Sequence, residues 1–321
     1  MQILINNHPV EVLEGETLIE VARRTGNNIP SLCYAKEAKH KSSCMVCAVK
    51  DCKSGQIIPS CTTLPVEGMQ IDTESEEVRL TRTLSLELLL SDHRADCEAP
   101  CSMVCPNRLD VERILGYYDA GQYREAVEML SAVFSLPEIA CDTCKAPCEK
   151  ACRRGSVDQP VSIRTIIREL SAMDGKASGD EKNIGYVKDK NLYQSRLGRF
   201  TDKEKEHLKA TTVTTSRCLH CACSGREKCR LRLHSTEAGI KRSRYESSST
   251  LPIEKIHING DLLFEPAKCI RCGLCVYNSD NGFTFMGRGF KMGVVLPEEN
   301  KANIKKNLAE LCPTGAIYKQ G

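Results

Sequence analysis

Twenty of the 321 residues are cysteine, and their spacing is the feature of this sequence that could do chemistry. Cys33, Cys44, Cys47 and Cys61 follow C-x10-C-x2-C-x13-C. His93, Cys97, Cys101 and Cys105 follow H-x3-C-x3-C-x3-C, with Pro106 next. Cys141, Cys144, Cys148 and Cys152 follow C-x2-C-x3-C-x3-C, and Cys218, Cys221, Cys223 and Cys229 follow C-x2-C-x-C-x5-C. Cys269, Cys272 and Cys275 follow C-x2-C-x2-C and are completed by a distant Cys312-Pro313. Nineteen cysteines and His93 thus divide into five groups of four, leaving Cys52 as a spare thiol. Disulfides need an oxidising compartment, and half-cystines this close in sequence would brace little. Zinc usually takes paired C-x2-C knuckles. A C-x2-C-x2-C run with a distant Cys-Pro instead wraps three corners of an iron–sulfur cubane in one loop. For Cys218, Cys221, Cys223 and Cys229 the spacing leaves both iron–sulfur and zinc open.

The elements that must position these ligands are small. Hydrophobic residues make up 41% of the chain, aromatics 5%, and Trp is absent, so the cores need support besides apolar burial. A net charge of +3 excludes a strongly basic nucleic-acid binder or an acidic tail as the main theme. No apolar run approaches the roughly 18 residues of a membrane span. The start, Met1 to Asn7, lacks the basic and apolar regions of a signal peptide. A cytoplasmic location, where thiols stay reduced, is therefore expected. Gln2–Ile5 and Val10–Leu13 read as a hairpin around Asn6-Asn7. Thr17 caps a helix through Leu18, Ile19, Val21 and Ala22 that Gly26 stops. Val78–Ser91 reads as a second helix, and residues 97–170 as helical throughout, broken at Gly121. In that reading Cys97, Cys101 and Cys105 share one helix face, and Cys144, Cys148 and Cys152 another. Residues 172–215 are polar and read as a linker or wrapping arm. Gly287-Arg288-Gly289 with Gly293 has the look of a dinucleotide loop, but a strand-like Val294-Val295-Leu296 follows it. Lys241-Arg242-Ser243-Arg244 reads as a solvated charged run. No Ser/His/Asp or paired-carboxylate constellation stands out, so no catalytic residue is assigned.

Ile29-Pro30-Ser31-Leu32-Cys33-Tyr34, Ser43-Cys44-Met45-Val46-Cys47 and Pro59-Ser60-Cys61 resemble the N-terminal [2Fe–2S] domain of the large iron–sulfur subunit of respiratory complex I. NAD-linked hydrogenases and formate dehydrogenases share that module. The resemblance continues through Leu86-Glu87-Leu88-Leu89-Leu90-Ser91-Asp92-His93, the approach to that family's His/Cys3 [4Fe–4S] site, and covers residues 1–97. It implies that His93 ligates through its imidazole. After Cys97 the family would continue C-x2-C-x5-C, and this sequence does not. Residues 97–170 resemble instead the helical two-cluster domain of the glutamate synthase small subunit and dihydropyrimidine dehydrogenase. The matching stretches are Ala99-Pro100-Cys101 through Cys105-Pro106, Leu136-Pro137-Glu138, Cys144 through Cys152, and Pro160-Val161-Ser162-Ile163-Arg164.

Together the resemblances imply an α+β multidomain chain. Residues 1–78 would form a β-grasp [2Fe–2S] ferredoxin-like domain and 79–171 an all-α domain with two [4Fe–4S] clusters. Residues 216–321 would form a small ferredoxin-like region with two more [4Fe–4S] sites, one of them still open to zinc. In the resembled two-cluster domains the last cysteine of each motif crosses to the other cluster, and a Glu or Gln on the next helix completes one site. Ile167 stands at that place here, and Cys144 is an added thiolate. This implies His93, Cys97, Cys101 and Cys152 on one cluster and Cys105, Cys141, Cys144 and Cys148 on the other. A local alternative keeps His93–Cys105 and Cys141–Cys152 apart. The implied function is an electron-relay subunit between an NAD(P)H-oxidising flavoprotein, met at the [2Fe–2S] end, and a hydrogenase- or formate dehydrogenase-type catalytic subunit. Two alternatives are an iron–sulfur partner of a glutamate synthase-type or electron-bifurcating flavoenzyme, and a zinc or iron–sulfur scaffold or redox sensor.

Overall fold

The computed structural model describes residues 1–134, 141–173, 200–211, 217–240, 244–245, 253–305 and 307–319. The chain forms two compact units: Met1–Arg94 with Ser224–Gly321, and Ala95–Cys223. In chain order the second unit interrupts the first.

The first unit opens with the hairpin β1 (Gln2–Ile5) and β2 (His8–Glu11). Asn6 and Asn7 turn it at φ 50° and 66°, left-handed values that asparagine tolerates. In α1 (Leu18–Arg24) the Glu20 carboxylate accepts hydrogen bonds from the Thr17 amide and hydroxyl, both at 2.8 Å. That helix buries Leu18, Ile19, Val21 and Ala22. β3 (Ala48–Asp51), β4 (Ile57–Pro59) and β5 (Gln70–Asp72) complete a sheet of order β2-β1-β5-β3-β4, with β1 parallel to β5. The helix expected over 78–91 is α2 (Glu76–Asp92), tied to β3 by Arg82 Nε donating to the Ala48 carbonyl at 2.9 Å.

The second unit holds α3 (Pro100–Met103), α4 (Val111–Asp119), α5 (Tyr123–Ser131), α6 (Pro147–Lys150), α7 (Ile163–Ala172) and α8 (Asp202–Thr211). Leu109, Ile114, Leu115, Leu130, Ile163 and Ile167 form its apolar centre. Gly121, at φ 70°, separates α4 from α5. The expectation of continuous helix is corrected around the cysteines. Pro100 and Pro147 start helices of a single turn, and of the two trios only Cys101 and Cys148 lie on helical turns. The trios are therefore loop–turn–loop arrangements rather than helix faces. Asp96 and Ala222 pair as a parallel bridge that draws together the two ends of this unit. Of the expected linker, α8 is helical, while 174–199 and 212–216 lie outside the described residues, as do Leu136-Pro137-Glu138 and Lys241-Arg242-Ser243.

The chain re-enters the first unit and continues with α9 (Arg230–Glu237), β6 (Ile256–Asn259), β7 (Leu262–Phe264), α10 (Leu274–Tyr277), β8 (Thr284–Met286), β9 (Gly293–Val295), α11 (Leu308–Leu311) and β10 (Ile317–Lys319). β10, β7 and β6 make an antiparallel sheet whose core joins Phe264, Phe283, Leu308 and Ile317. β8 and β9 form a separate hairpin. Gly287 lies at the end of that hairpin at φ 80°, where a Cβ would meet the Lys291 carbonyl at 2.5 Å. The Gly287–Gly293 stretch is thus a β-hairpin connection, and the strand β9 follows it directly, where a dinucleotide loop would open an α-helix.

Candidate metal centres

None of the twenty cysteines, all among the described residues, is in a disulfide. In the first unit Cys33, Cys44, Cys47 and Cys61 converge from the loops flanking β3 and β4, each at most 6% exposed. Cys33 is in hydrogen-bond contact with Cys44 and Cys61, and Cys47 with Cys61. Those contacts hold the Cys33 thiol far below its usual range and push Cys44 and Cys61 far above it. Cys47 is lowered to about 6, chiefly by its bond to Cys61. Four buried sulfurs linked by hydrogen-bond contacts form a donor set that a metal would complete by displacing the thiol protons. Backbone amides of Ser43 and Cys44 donate to Cys33, and that of Val46 to Cys44. Such bonds orient and tune thiolate ligands.

Cys269, Cys272, Cys275 and Cys312 line one cavity of about 340 Å³, mouth included, with Phe264 and Val294 among its apolar walls. Arg271 lies at φ 55° and its amide donates to Cys269 Sγ at 3.3 Å. Gly273, at φ 80°, leaves no room for a side chain, since a Cβ would lie 2.6 Å from the Tyr277 ring. Burial pushes Cys269 up to about 12 and raises Cys272 and Cys275 as well. Among the described residues no three His, Cys, Asp or Glu side chains close around a single ion.

The two terminal cysteine sets of the first unit are neighbours. Arg230 Nη1 donates to the Tyr34 carbonyl at 3.0 Å, and Nη2 to the carbonyls of Leu32 and Leu311 at 3.4 Å. Its amide donates to the Pro313 carbonyl at 2.8 Å. One guanidinium therefore clamps the loops that carry Cys33 and Cys312. Asn278 and the Lys39 backbone exchange two more hydrogen bonds, at 3.0 and 2.8 Å. Spacing does not single out Arg230; its only signal is adjacency to Cys229.

His93 is 6% exposed, at the end of α2. Its Nδ1 is buried without a hydrogen-bond partner. Burial first, then the charge of Lys268, lowers it to about 4, so the ring is neutral at pH 7. A neutral imidazole with a bare buried nitrogen is the form in which histidine ligates metal.

In the second unit the cysteines form two neighbourhoods. Cys141 is raised to about 11 by burial and then by the nearby Cys144 and Cys105; Cys148 is raised to about 12 by burial, with Cys141 and Cys105 also near. Arg164 and Arg168 donate to the Asp142 carbonyl at 2.8 and 3.2 Å and pin this loop to α7. The other neighbourhood is Cys101, which burial raises first and then Cys218, Cys221 and Cys152. Cys223 is the last residue of this unit, whereas Cys229 belongs to the first unit and caps α9, its sulfur accepting from the Arg232 amide at 3.4 Å. Cys52 is exposed on the turn after β3.

Comparison with known proteins finds iron–sulfur families over the first half of the chain. Residues 1–76 match the family described as 2Fe-2S iron-sulfur cluster binding domain. Residues 76–177 match dihydropyrimidine dehydrogenase domain II, a 4Fe-4S cluster family. The chain is 32% identical over 97 residues to an NADH-quinone oxidoreductase subunit of Rhizobium meliloti, covering 30% of this chain and 11% of that protein. It is 32% identical over 161 residues to the NADP-reducing hydrogenase subunit HndD of Solidesulfovibrio fructosivorans, covering 47% of this chain and 27% of that protein. The fold is similar to a chain of an NAD+-reducing [NiFe]-hydrogenase solved in the H2-reduced state. The TM-score is 0.52 at 15% identity, over 100% of this chain and 87% of that one. The chain therefore carries a [2Fe–2S] domain followed by a [4Fe–4S] domain, and it spans a small part of the curated relatives it matches.

Proposed function

We propose that this chain is an electron-relay subunit of a multi-subunit oxidoreductase. It would hold one [2Fe–2S] and four [4Fe–4S] clusters between an NAD(P)H-oxidising flavoprotein and a catalytic subunit of hydrogenase or formate dehydrogenase type. Iron–sulfur clusters supply one-electron redox chemistry, and the protein supplies binding, spacing and potential. The observation that carries the reading is the set of separate four-donor constellations, two of them clamped side by side in one unit by Arg230. The apolar walls of Phe264 and Val294 would keep water from the C-terminal cluster, and the amide donors at Cys33, Cys44 and Cys269 would set potentials. The names of the matched relatives, two of them NAD-linked and one NADP-linked, support a flavoprotein partner. No described helix is long and apolar enough to cross a membrane, and a reducing cytoplasmic setting suits so many thiols.

A second reading, a partner of a glutamate synthase-type or electron-bifurcating flavoenzyme, is favoured by the match of residues 76–177. The two share one test. Purified protein should be reduced by dithionite, with bleaching near 400 nm, and not by NADH or NADPH alone. Adding the flavoprotein partner should make the nucleotide effective. Direct reduction by NADH in the flavin-free chain would contradict the relay reading.

A further inference from the structure

We propose that Cys101, Cys152, Cys218 and Cys221 together hold one [4Fe–4S] cluster. The second unit then carries two complete cluster sites built from its own residues, the other using Cys105, Cys141, Cys144 and Cys148. The proposal rests on the iron–sulfur reading above and replaces two groupings suggested by spacing and resemblance. One put Cys101 and Cys152 with His93 and Cys97; the other kept Cys218, Cys221, Cys223 and Cys229 as one set.

The geometry converges on Asp96, which is fully buried. Arg153 donates to both of its oxygens, at 3.0 and 3.2 Å, and Asp96 bridges Ala222 in parallel pairing. Cys152 precedes Arg153 and Cys221 precedes Ala222, so both cysteines are one residue from a group bound at Asp96. Cys101 is buried in the apolar core of this unit, and Cys152, Cys218 and Cys221 pack against the same core. From the other side, His220 anchors the Cys218–Cys221 loop to α4, with Nδ1 3.1 Å from Glu112 and Nε2 3.5 Å from Asp119.

The loop is shaped to wrap a cluster. His220 lies at φ 44° and its amide donates to Cys218 Sγ at 3.4 Å. The same third position of Cys269–Cys272 is Arg271, at φ 55°, whose amide donates to Cys269 Sγ at 3.3 Å. A left-handed third residue with an N–H···S bond back to the first cysteine recurs in both C-x2-C loops. One of these loops lines the 340 Å³ cavity.

Paired alanine substitutions in the full chain separate the groupings, because two losses from one ligand set cost one cluster and two losses from different sets cost two. Anaerobically reconstituted wild type should hold about 18 irons, from one [2Fe–2S] and four [4Fe–4S] clusters. C101A/C218A should fall to about 14 and C218A/C229A to about 10. The reverse, about 10 and about 14, overturns the proposal. A readout independent of total iron is the electron paramagnetic resonance of the reduced single variants. C101A and C221A should lose the same signal and C229A a different one, with the [2Fe–2S] signal reporting that each variant is folded. Loss of different signals by C101A and C221A overturns the proposal. Wild type without iron would instead sink the iron–sulfur reading itself, which keeps the two failures apart.

Discussion

A buried nitrogen without a partner costs about 1–3 kcal/mol, and His93 Nδ1 is such an atom. A metal bond would recover that cost, which makes His93 the residue whose replacement is most informative. His93→Ala should lower bound iron by about 4 per chain, the content of one [4Fe–4S] cluster. His93→Cys restores a donor and should keep wild-type iron, while shifting the spectrum and potential of one cluster. Iron assay of both variants decides the point. Equal, full loading of the alanine variant would show that His93 is a core histidine. Spacing makes this residue legible, because a histidine four positions before a cysteine continues a recognisable run. Arg230, Asp96 and His220 are not legible in that way. Their roles come from partners distant in sequence: the Tyr34 and Leu311 carbonyls for Arg230, the Arg153 guanidinium for Asp96 and the Glu112 carboxylate for His220.

At the scale of elements, periodicity works where one face is buried over several turns or strand residues. The hairpin of β1 and β2 and the helix α2 fall within two residues of expectation. It fails around the cysteines of the second unit, where Pro100 and Pro147 begin single turns and most of the cysteines sit in loops. Close backbone approach is equally invisible to periodicity. Gly225 and Gly315 hold the segment entering α9 against the Cys312 loop, and a Cβ on Gly225 would lie 2.6 Å from Gly315 Cα. Gly225→Ala should destabilise the protein by about 1–3 kcal/mol through forced backbone displacement. Gly155→Ala, whose nearest neighbour would be at 3.7 Å, should be close to neutral. Thermal unfolding followed by circular dichroism compares them, and equal midpoints would contradict the close approach.

For the whole molecule, order along the chain differs from order in space. Cys33, Cys44, Cys47 and Cys61 and the Cys312 set lie near opposite termini, which suggests the two ends of a linear wire. They belong instead to one unit, in which Arg230 and Asn278 join their loops. The run Cys218–Cys229 looks continuous, yet the chain leaves one unit for the other after Cys223. No spacing announces that division, and the pairing of Asp96 with Ala222, just inside the two ends of the second unit, joins residues 126 positions apart in the chain.

The central claim is that these thiols hold iron–sulfur clusters throughout and pass electrons between them. Metal analysis of anaerobically purified protein tests it most directly, with labile sulfide measured on the same sample. The account requires a brown protein with about 18 irons per chain, nearly as many sulfides, and little zinc. A colourless protein whose cysteine sets are filled by zinc would contradict it.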